Sequence, residues 1–499
     1  MSSSAESTAV VIDQMTQGWE TKQIQEVAQV NPRIDKKSIP DDLKVSFVPM
    51  PAVEAESGHI DVSQTKPAKD VKKGFTAFLE GDVLFAKITP CMENGKMAVV
   101  PEVSNGYGFG STEFHVLRPG NDIDAKYLYY FVSSKKFRGE AERHMTGAVG
   151  QRRVPTPYLK EASIPIAPLE DQKRIVAEIE KQFSRLDEAV ASLKRVKANL
   201  KRYKAAVLKA AVEGKLTEEW RKQNPDVEPA SKLLERILAE RRAKWEEAEL
   251  AKMKAKGKAP KNDKWKARFV LSMHVDAGGL PNLPDGWCYT NMACLVEEPK
   301  YGTSKKCRYE AQGRGVLRIP NIGDGVIDDE DLKYAKFDDS EIAAYSLNED
   351  DLLVIRSNGS LDLVGKTALV RGADCSYLYA GYLIRLRPIQ EIVSGAYLQS
   401  AVGSLAVRSQ IESKAKSTSG VNNINAKELK TLIIPVCSKD EQMQVVREIE
   451  GRLSVADHLL NDVQMRINKA ESIRQSILAR SYSGYFARGK AELHMLKTK

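Results

Sequence analysis

The chain has 499 residues, 42% hydrophobic and 29% charged, with a formal net charge of +9. That length holds more than one compact domain, and no stretch approaches the ~18 consecutive apolar residues of a membrane helix. Six scattered cysteines, Cys91, Cys288, Cys294, Cys307, Cys375 and Cys437, make no C-x-x-C pair, so neither a zinc site nor a disulfide framework is signalled.

The first residues, MSSSAESTAVVID, lack the basic stretch and apolar run of a secretory signal. A loose tail over residues 1–17 and a cytoplasmic protein are expected. From Gly18 to residue 167 short β-type runs alternate with turns (VSFVPM, DVLFAKI, KMAVVP, FHVLRP), with one helix expected around DAKYLYYFVSSKKF. Pro168 and the acidic Glu170 and Asp171 then suit a helix start. Ile179, Phe183, Leu186, Val190, Leu193, Lys197 and Leu200 follow at alternating steps of four and three, a heptad seam through a helix over 168–214.

Residues 215–285 read as a charged linker. The stretch from Arg221 to Arg268 holds 15 Lys and Arg against 8 Asp and Glu, so most of the positive excess lies there and bulk charge alone does not argue for nucleic acid. From residue 286 to 437 strands (DLLVIR, KTALVR, YLIRLRP) and a helix (SGAYLQSAVGSLAVRSQI) repeat the first pattern. A second long helix over 438–484 carries the seam Ile449, Leu453, Ala456, Leu460, Val463, Ile467 and Ala470, and residues 485–499 read as a tail.

The chain is thus written twice. Val149–Glu180 lies over Ser419–Glu450 without a gap, aligning Gly150 with Gly420, Ile164-Pro165 with Ile434-Pro435 and Gln172 with Gln442. The same offset places Leu208 over Leu478 and Gly214 over Gly484. Upstream, Gly18-Trp19 answers Gly286-Trp287, Asp82 answers Asp351, Gly95-Lys96 answers Gly365-Lys366, and Arg118-Pro119 answers Arg387-Pro388. The expected architecture is α+β, two homologous globules joined by long antiparallel coiled-coil helices in a pseudo-twofold arrangement. Each copy has a variable first part and a better-kept second part, as when two modules share a scaffold and differ in what they recognise.

Catalytic signatures are missing from the sequence. It holds no G-x-x-x-x-G-K-[ST], no Asn- or Asp-Pro-Pro-aromatic motif and no H-E-x-x-H. GYGFG, Gly106 to Gly110, sits among strands and reads as a turn. A binding role is favoured, against two alternatives: an enzyme, and a coiled-coil scaffold that does not recognise DNA.

KRYKAAVLKAAVEGKLTEEWR, IPIAPLEDQKRIVAEIE, the Gly-Trp openings and the repeat order resemble the specificity subunits of type I restriction-modification systems over nearly the whole chain. The resemblance implies that each globule is a target recognition domain reading one half of a split, asymmetric site in double-stranded DNA. It implies that the helices set the half-site spacing and dock two methyltransferase subunits, and that restriction subunits join to make an ATP-dependent nuclease. Catalysis would lie outside this chain, with S-adenosylmethionine, ATP and Mg belonging to the partners. The A-V-x-G-K-L-T motif occurs once, after the first helix, where the second ends in RSYSGYFARGK; contacts with the methyltransferase are then expected to differ on the two sides.

Direct readout calls for Arg, Lys, Asn or Gln on exposed loops. The matched loops after Gly150 and Gly420 offer Gln151, Arg152 and Arg153 in one copy and Asn422 and Asn423 in the other. Lys87, Lys96, Arg356, Asn358 and Lys366 flank a second matched pair of loops as candidate phosphate contacts. Tyr203, Val207, Leu208 and Leu478 are the candidate methyltransferase-docking residues.

Overall fold

A computed structural model describes residues 18–148, 150–257, 260, 262–269, 275–276, 278–309, 312–418 and 420–483. Val149, Ser419 and Gly484 of the aligned repeat, and the expected tails at 1–17 and 485–499, lie outside the described residues. The chain divides into two compact units, residues 18–195 with 463–483, and residues 196–462.

In the first unit Glu20–Gln23 pairs antiparallel with Ser163–Ile166. One four-stranded sheet runs in the order Ala28–Val30, Phe114–Pro119, Val83–Ala86, Met97–Val99. Another runs Thr65–Pro67, Lys44–Val48, Gly108–Gly110, Thr76–Phe78, its two central strands parallel. The run VLFA is apolar throughout because both its faces are covered. Val83 and Phe85 enter a core with Tyr127, Leu128 and Ile179, whereas Leu84 and Ala86 enter a second core with Val48 and Phe78. The GYGFG stretch is a turn and then a strand, and a Cβ on Gly108 would stand 2.0 Å from the Phe78 ring.

The second unit repeats this plan. Cys288–Asn291 pairs with Ile433–Val436, and a four-stranded sheet runs Lys300–Tyr301, Leu383–Leu386, Leu352–Ile355, Thr367–Leu369. Leu352 and Val354 face one core, Leu353 and Ile355 another. The polar contacts are also duplicated. Arg118 grips Asp82 through two hydrogen bonds of 2.8 Å, and Arg387 grips Asp351 at 2.8 and 2.7 Å. Tyr127 donates to the Pro165 carbonyl at 2.8 Å, and Tyr397 to that of Pro435 at 2.9 Å.

The single helices expected near residues 125 and 395 are each two. Ala125–Ser133 and Lys135–Arg143 break at Ser134, and Gly395–Gly403 and Leu405–Lys414 break at Ser404. Both serines take extended backbone (ψ 143° and 150°) and turn the hydroxyl onto the preceding turn, to the Phe131 and Ala401 carbonyls. A serine can satisfy its own helix end in this way.

Helix α1 spans Leu169–Val212 (44 residues) and helix α2 spans Lys439–Ser481 (43 residues). The seam positions read from the sequence are buried or half-buried along both. Each helix is pinned to its globule by a fully buried glutamine. Gln172 accepts from the Asp124 N–H and donates to the Asp122 and Ala167 carbonyls; Gln442 accepts from Ser394 and donates to Ile392 and Cys437. In the first unit Arg474 of α2 binds Asp187 of α1; in the second, Lys204 of α1 binds Asp457 of α2 at 2.6 Å. The residue numbers of the two pairs add to the same total, so within each unit the helix segments run antiparallel. The repeat offset also carries Asp187 onto Asp457 and Lys204 onto Arg474, making this one contact built twice.

The charged stretch between the copies contains a helix, Ala230–Ala255, whose first turns bury Leu233, Leu234, Ile237 and Leu238 in the second unit's core. The charged face is the solvated remainder. Thr217, the last residue of the A-V-x-G-K-L-T motif, and Arg221, one turn further on, both bind Glu441 at the start of α2.

Candidate nucleic-acid interface

Of the two sets of loop residues singled out from the sequence, all but Lys96 and Lys366 meet in one place in each unit. In the first, the Lys87 N–H donates to the Glu113 carbonyl and the Val154 N–H to the Lys87 carbonyl, both at 2.9 Å. In the second, the Arg356 N–H donates to the Tyr382 carbonyl at 3.0 Å and the Ile424 N–H to the Arg356 carbonyl at 2.8 Å. These are the same two hydrogen bonds at equivalent positions. Gly150 and Gly420 open the matched loops at φ +80° and +79°, a backbone that favours glycine.

On this common frame the side chains differ. Lys87, Glu113 and Arg153 occupy the positions held by Arg356, Tyr382 and Asn423. Arg153 forms a two-pronged pair with Glu113, both contacts 2.9 Å. The guanidinium hydrogen bonds hold the Glu113 carboxyl below its ordinary range, and the carboxylate raises Arg153 in turn. Arg152 lies 3.5 Å from Glu142, and Gln151 is exposed at the loop. His115 lies beneath, buried, bonded to the Val154 carbonyl at 2.8 Å and to Asn31 at 3.0 Å. Burial holds its imidazole below the ordinary range against the opposing pull of that carbonyl.

In the second unit Ser357–Asn358 pairs with Val421–Asn423, placing Asn358 opposite Asn422. Asn422 donates to the Gly359 carbonyl at 3.1 Å. The Arg356 guanidinium lies 4.9 Å from the Tyr301 ring centroid. Arg356 Nε and Asn423 Oδ1 are buried with no hydrogen-bond partner among the described residues. Tyr382, 63% exposed, stands at the rim.

Glu113 and Tyr382 are functional candidates the sequence reading missed. The available signal was their equivalent place just before matched strands, filled by an acid in one copy and an aromatic in the other. Lys96 and Lys366 sit lower. The Lys96 ammonium donates to the Val53 and Met50 carbonyls at 2.7 and 3.3 Å, and half-buried Lys366 hydrogen-bonds through its backbone to Ile355 and Leu363.

Of the docking candidates, Tyr203 is 43% exposed, whereas Val207 and Leu478 are buried at 4% and 3% and Leu478 belongs to the first unit's core. Leu208 is half-buried against the second unit's core. The repeat equivalent of Tyr203 is Ile473, also exposed, at 41%.

No helix among the described residues is long and apolar enough to cross a membrane, and no group of His, Cys, Asp and Glu among them could hold a metal ion.

Residues 16–202 match the family model for the type I restriction modification DNA specificity domain. The chain is 28% identical to the type I restriction enzyme EcoAI specificity subunit of Escherichia coli over 89% of this chain and 79% of that one. It is 26% identical to the EcoEI specificity subunit of the same species over 90% and 80%. Among solved structures, a chain reported under the assembly and conformational transition of a type I R-M system superposes with a TM-score of 0.65 at 18% identity, covering 94% of this chain and 98% of that one. The HsdS subunit from Thermoanaerobacter tengcongensis gives a TM-score of 0.52 at 16% identity, covering 94% and 97%. The chain is therefore similar to type I restriction enzyme specificity subunits along nearly its whole length, with residues 16–202 matching the type I DNA specificity domain.

Proposed function

We propose that this chain is the DNA-specificity subunit of a type I restriction-modification enzyme and that each unit reads one half of a bipartite, asymmetric site in double-stranded DNA. The supporting observation is one hydrogen-bonded backbone frame that carries Lys87, Glu113 and Arg153 in one copy and Arg356, Tyr382 and Asn423 in the other. Equal frames dock in equal ways, and unequal side chains select unequal bases. Gln151, Arg152, Asn358 and Asn422 extend the two surfaces, and the unpartnered Arg356 Nε and Asn423 Oδ1 are polar atoms to which a ligand can bond.

In this reading α1 and α2 fix the half-site spacing and dock two methyltransferase subunits through the exposed Tyr203 and its equivalent Ile473. Adenine methylation from S-adenosylmethionine, and ATP- and Mg-dependent cleavage of unmodified DNA, belong to the methyltransferase and restriction subunits. This chain would be non-catalytic alone and would act in the cytoplasm. Coexpression with the methyltransferase subunit and single-molecule mapping of N6-methyladenine tests it. A split asymmetric motif with a fixed gap, absent without this chain, supports the reading; a contiguous or palindromic motif overturns it.

A further inference from the structure

Each unit has an apolar groove where the end of one long helix meets its globule, and the two grooves are built from equivalent positions. In the second unit Ser404, Val407, Gln410, Pro435, Lys209 and Val212 line it; in the first, Ser134, Phe137, Glu140, Pro165, Ala479 and Tyr482. The repeat offset carries each residue of one set onto the other. Among the described residues the second-unit groove has one further wall, Leu280 and Pro281, from the segment that runs into Gly286-Trp287. The Tyr289 hydroxyl, itself on the groove, donates to the Pro281 carbonyl at 2.8 Å, and Leu283 packs against the core. This cavity measures about 270 Å³, and its equivalent in the first unit about 750 Å³.

The segment equivalent to this wall is present in the sequence. Aligning Gly18-Trp19 with Gly286-Trp287 places Ile12 at the position of Leu280 and Met15 at that of Leu283. The two large apolar residues keep their spacing of three, and the intervening residues are short or polar in both. The first groove is aromatic on several sides, with Phe131, Phe137, Tyr158 and Tyr482, where the second has Val407 and Val212. Thioether and branched aliphatic side chains pack well on such rings. We infer that the segment Ile12–Thr16 docks in the groove between Phe137 and Tyr482, so that the start of the chain clasps the end of α2 as the segment at 280–284 clasps the end of α1.

The test uses the full-length chain with a photo-crosslinking amino acid at Lys136 and, in a separate protein, at Ala406. Both positions are exposed on their groove rims and equivalent by the repeat. The probe at 406 serves as the positive control and is expected to label 280–284. The probe at 136 is expected to label the tryptic peptide Met1–Lys22, intramolecularly, with Ile12→Asp plus Met15→Asp reducing the yield at least fivefold and leaving labelling at 406 unchanged. Labelling of residues 484–499, of a second copy or of a methyltransferase subunit, or no labelling while the control succeeds, would overturn the inference.

Discussion

Lengthening both long helices by equal amounts at facing positions isolates the ruler role proposed for them. The ion pairs Asp187–Arg474 and Lys204–Asp457 fix the antiparallel register, so an insertion after Arg195 in α1 faces one after Met465 in α2. One heptad in each adds about 10.5 Å at ~1.5 Å per residue and preserves the seam. At about 3.4 Å per base pair this equals roughly three base pairs. Seven residues turn a helix face by only about 20°, whereas three base pairs turn the groove by roughly 100°. The one-heptad protein should therefore methylate sites whose gap is about three base pairs wider, but less efficiently. Three heptads add about 31.5 Å, close to nine base pairs and nearly a full turn of DNA. That variant should methylate sites with a gap about nine wider at closer to the original rate. Mapping N6-methyladenine in cells coexpressing each variant with the methyltransferase reads the gap directly. A gap unchanged in either variant would refute the ruler argument.

Arg153→Gln should change or relax one half of the methylated motif and leave the other half intact, with Asn423→Asp doing the converse; base preference shifts of about 10- to 100-fold match ~1–3 kcal/mol per two-pronged contact. Tyr203→Asp and Ile473→Asp should each lower methyltransferase binding at least tenfold in a pull-down while melting temperature stays within a few degrees. Asp351→Ala leaves Arg387 without its carboxylate beside a core, and the loss of about 3–5 kcal/mol should appear in denaturant unfolding. Because burial lowers the His115 pKa, the unfolded chain takes up this proton first. Stability should fall as pH drops below about 6.5, the unfolded value, until the lowered folded pKa is reached. His115→Asn should flatten that slope in melts at pH 7.5 and 5.5, and an equal slope in both proteins would exclude His115 as its source.

What the sequence made legible follows from where burial is repeated. DVLFAK and DDLLVIR stand out because each strand feeds two cores, so no polar residue interrupts the run. The seams of α1 and α2 were legible because a helix pair buries one stripe at a fixed period. The breaks at Ser134 and Ser404 were not, since a serine inside an amphipathic run carries no sign of extended backbone until its hydroxyl is seen bonded to the preceding turn. Lys96 and Arg153 show the limit for the site. Both are basic loop residues in sequence, yet one ammonium is held by the Val53 carbonyl while the other cation faces Glu113 at the surface. Tertiary partners far along the chain decide how each cation is held, and loop composition carries no information about them.

The division between backbone and side chain would let one scaffold serve the two different half-sites proposed for it. The hydrogen bonds that hold the reading frame, from Lys87 to Glu113 and from Val154 to Lys87, and their equivalents at Arg356, Tyr382 and Ile424, use main-chain atoms alone. Side chains at 87, 113 and 153, or at 356, 382 and 423, are therefore free to differ without loss of the frame. The deeper contacts cannot vary in this way. Asp82–Arg118, Gln172 and Tyr127 satisfy buried groups through their side chains, so a change there leaves donors or acceptors unpaired at ~1–3 kcal/mol each. At these contacts the copies agree where side chains hold the fold, and at the matched loops they differ where the backbone holds it, which would let specificity change without cost to folding.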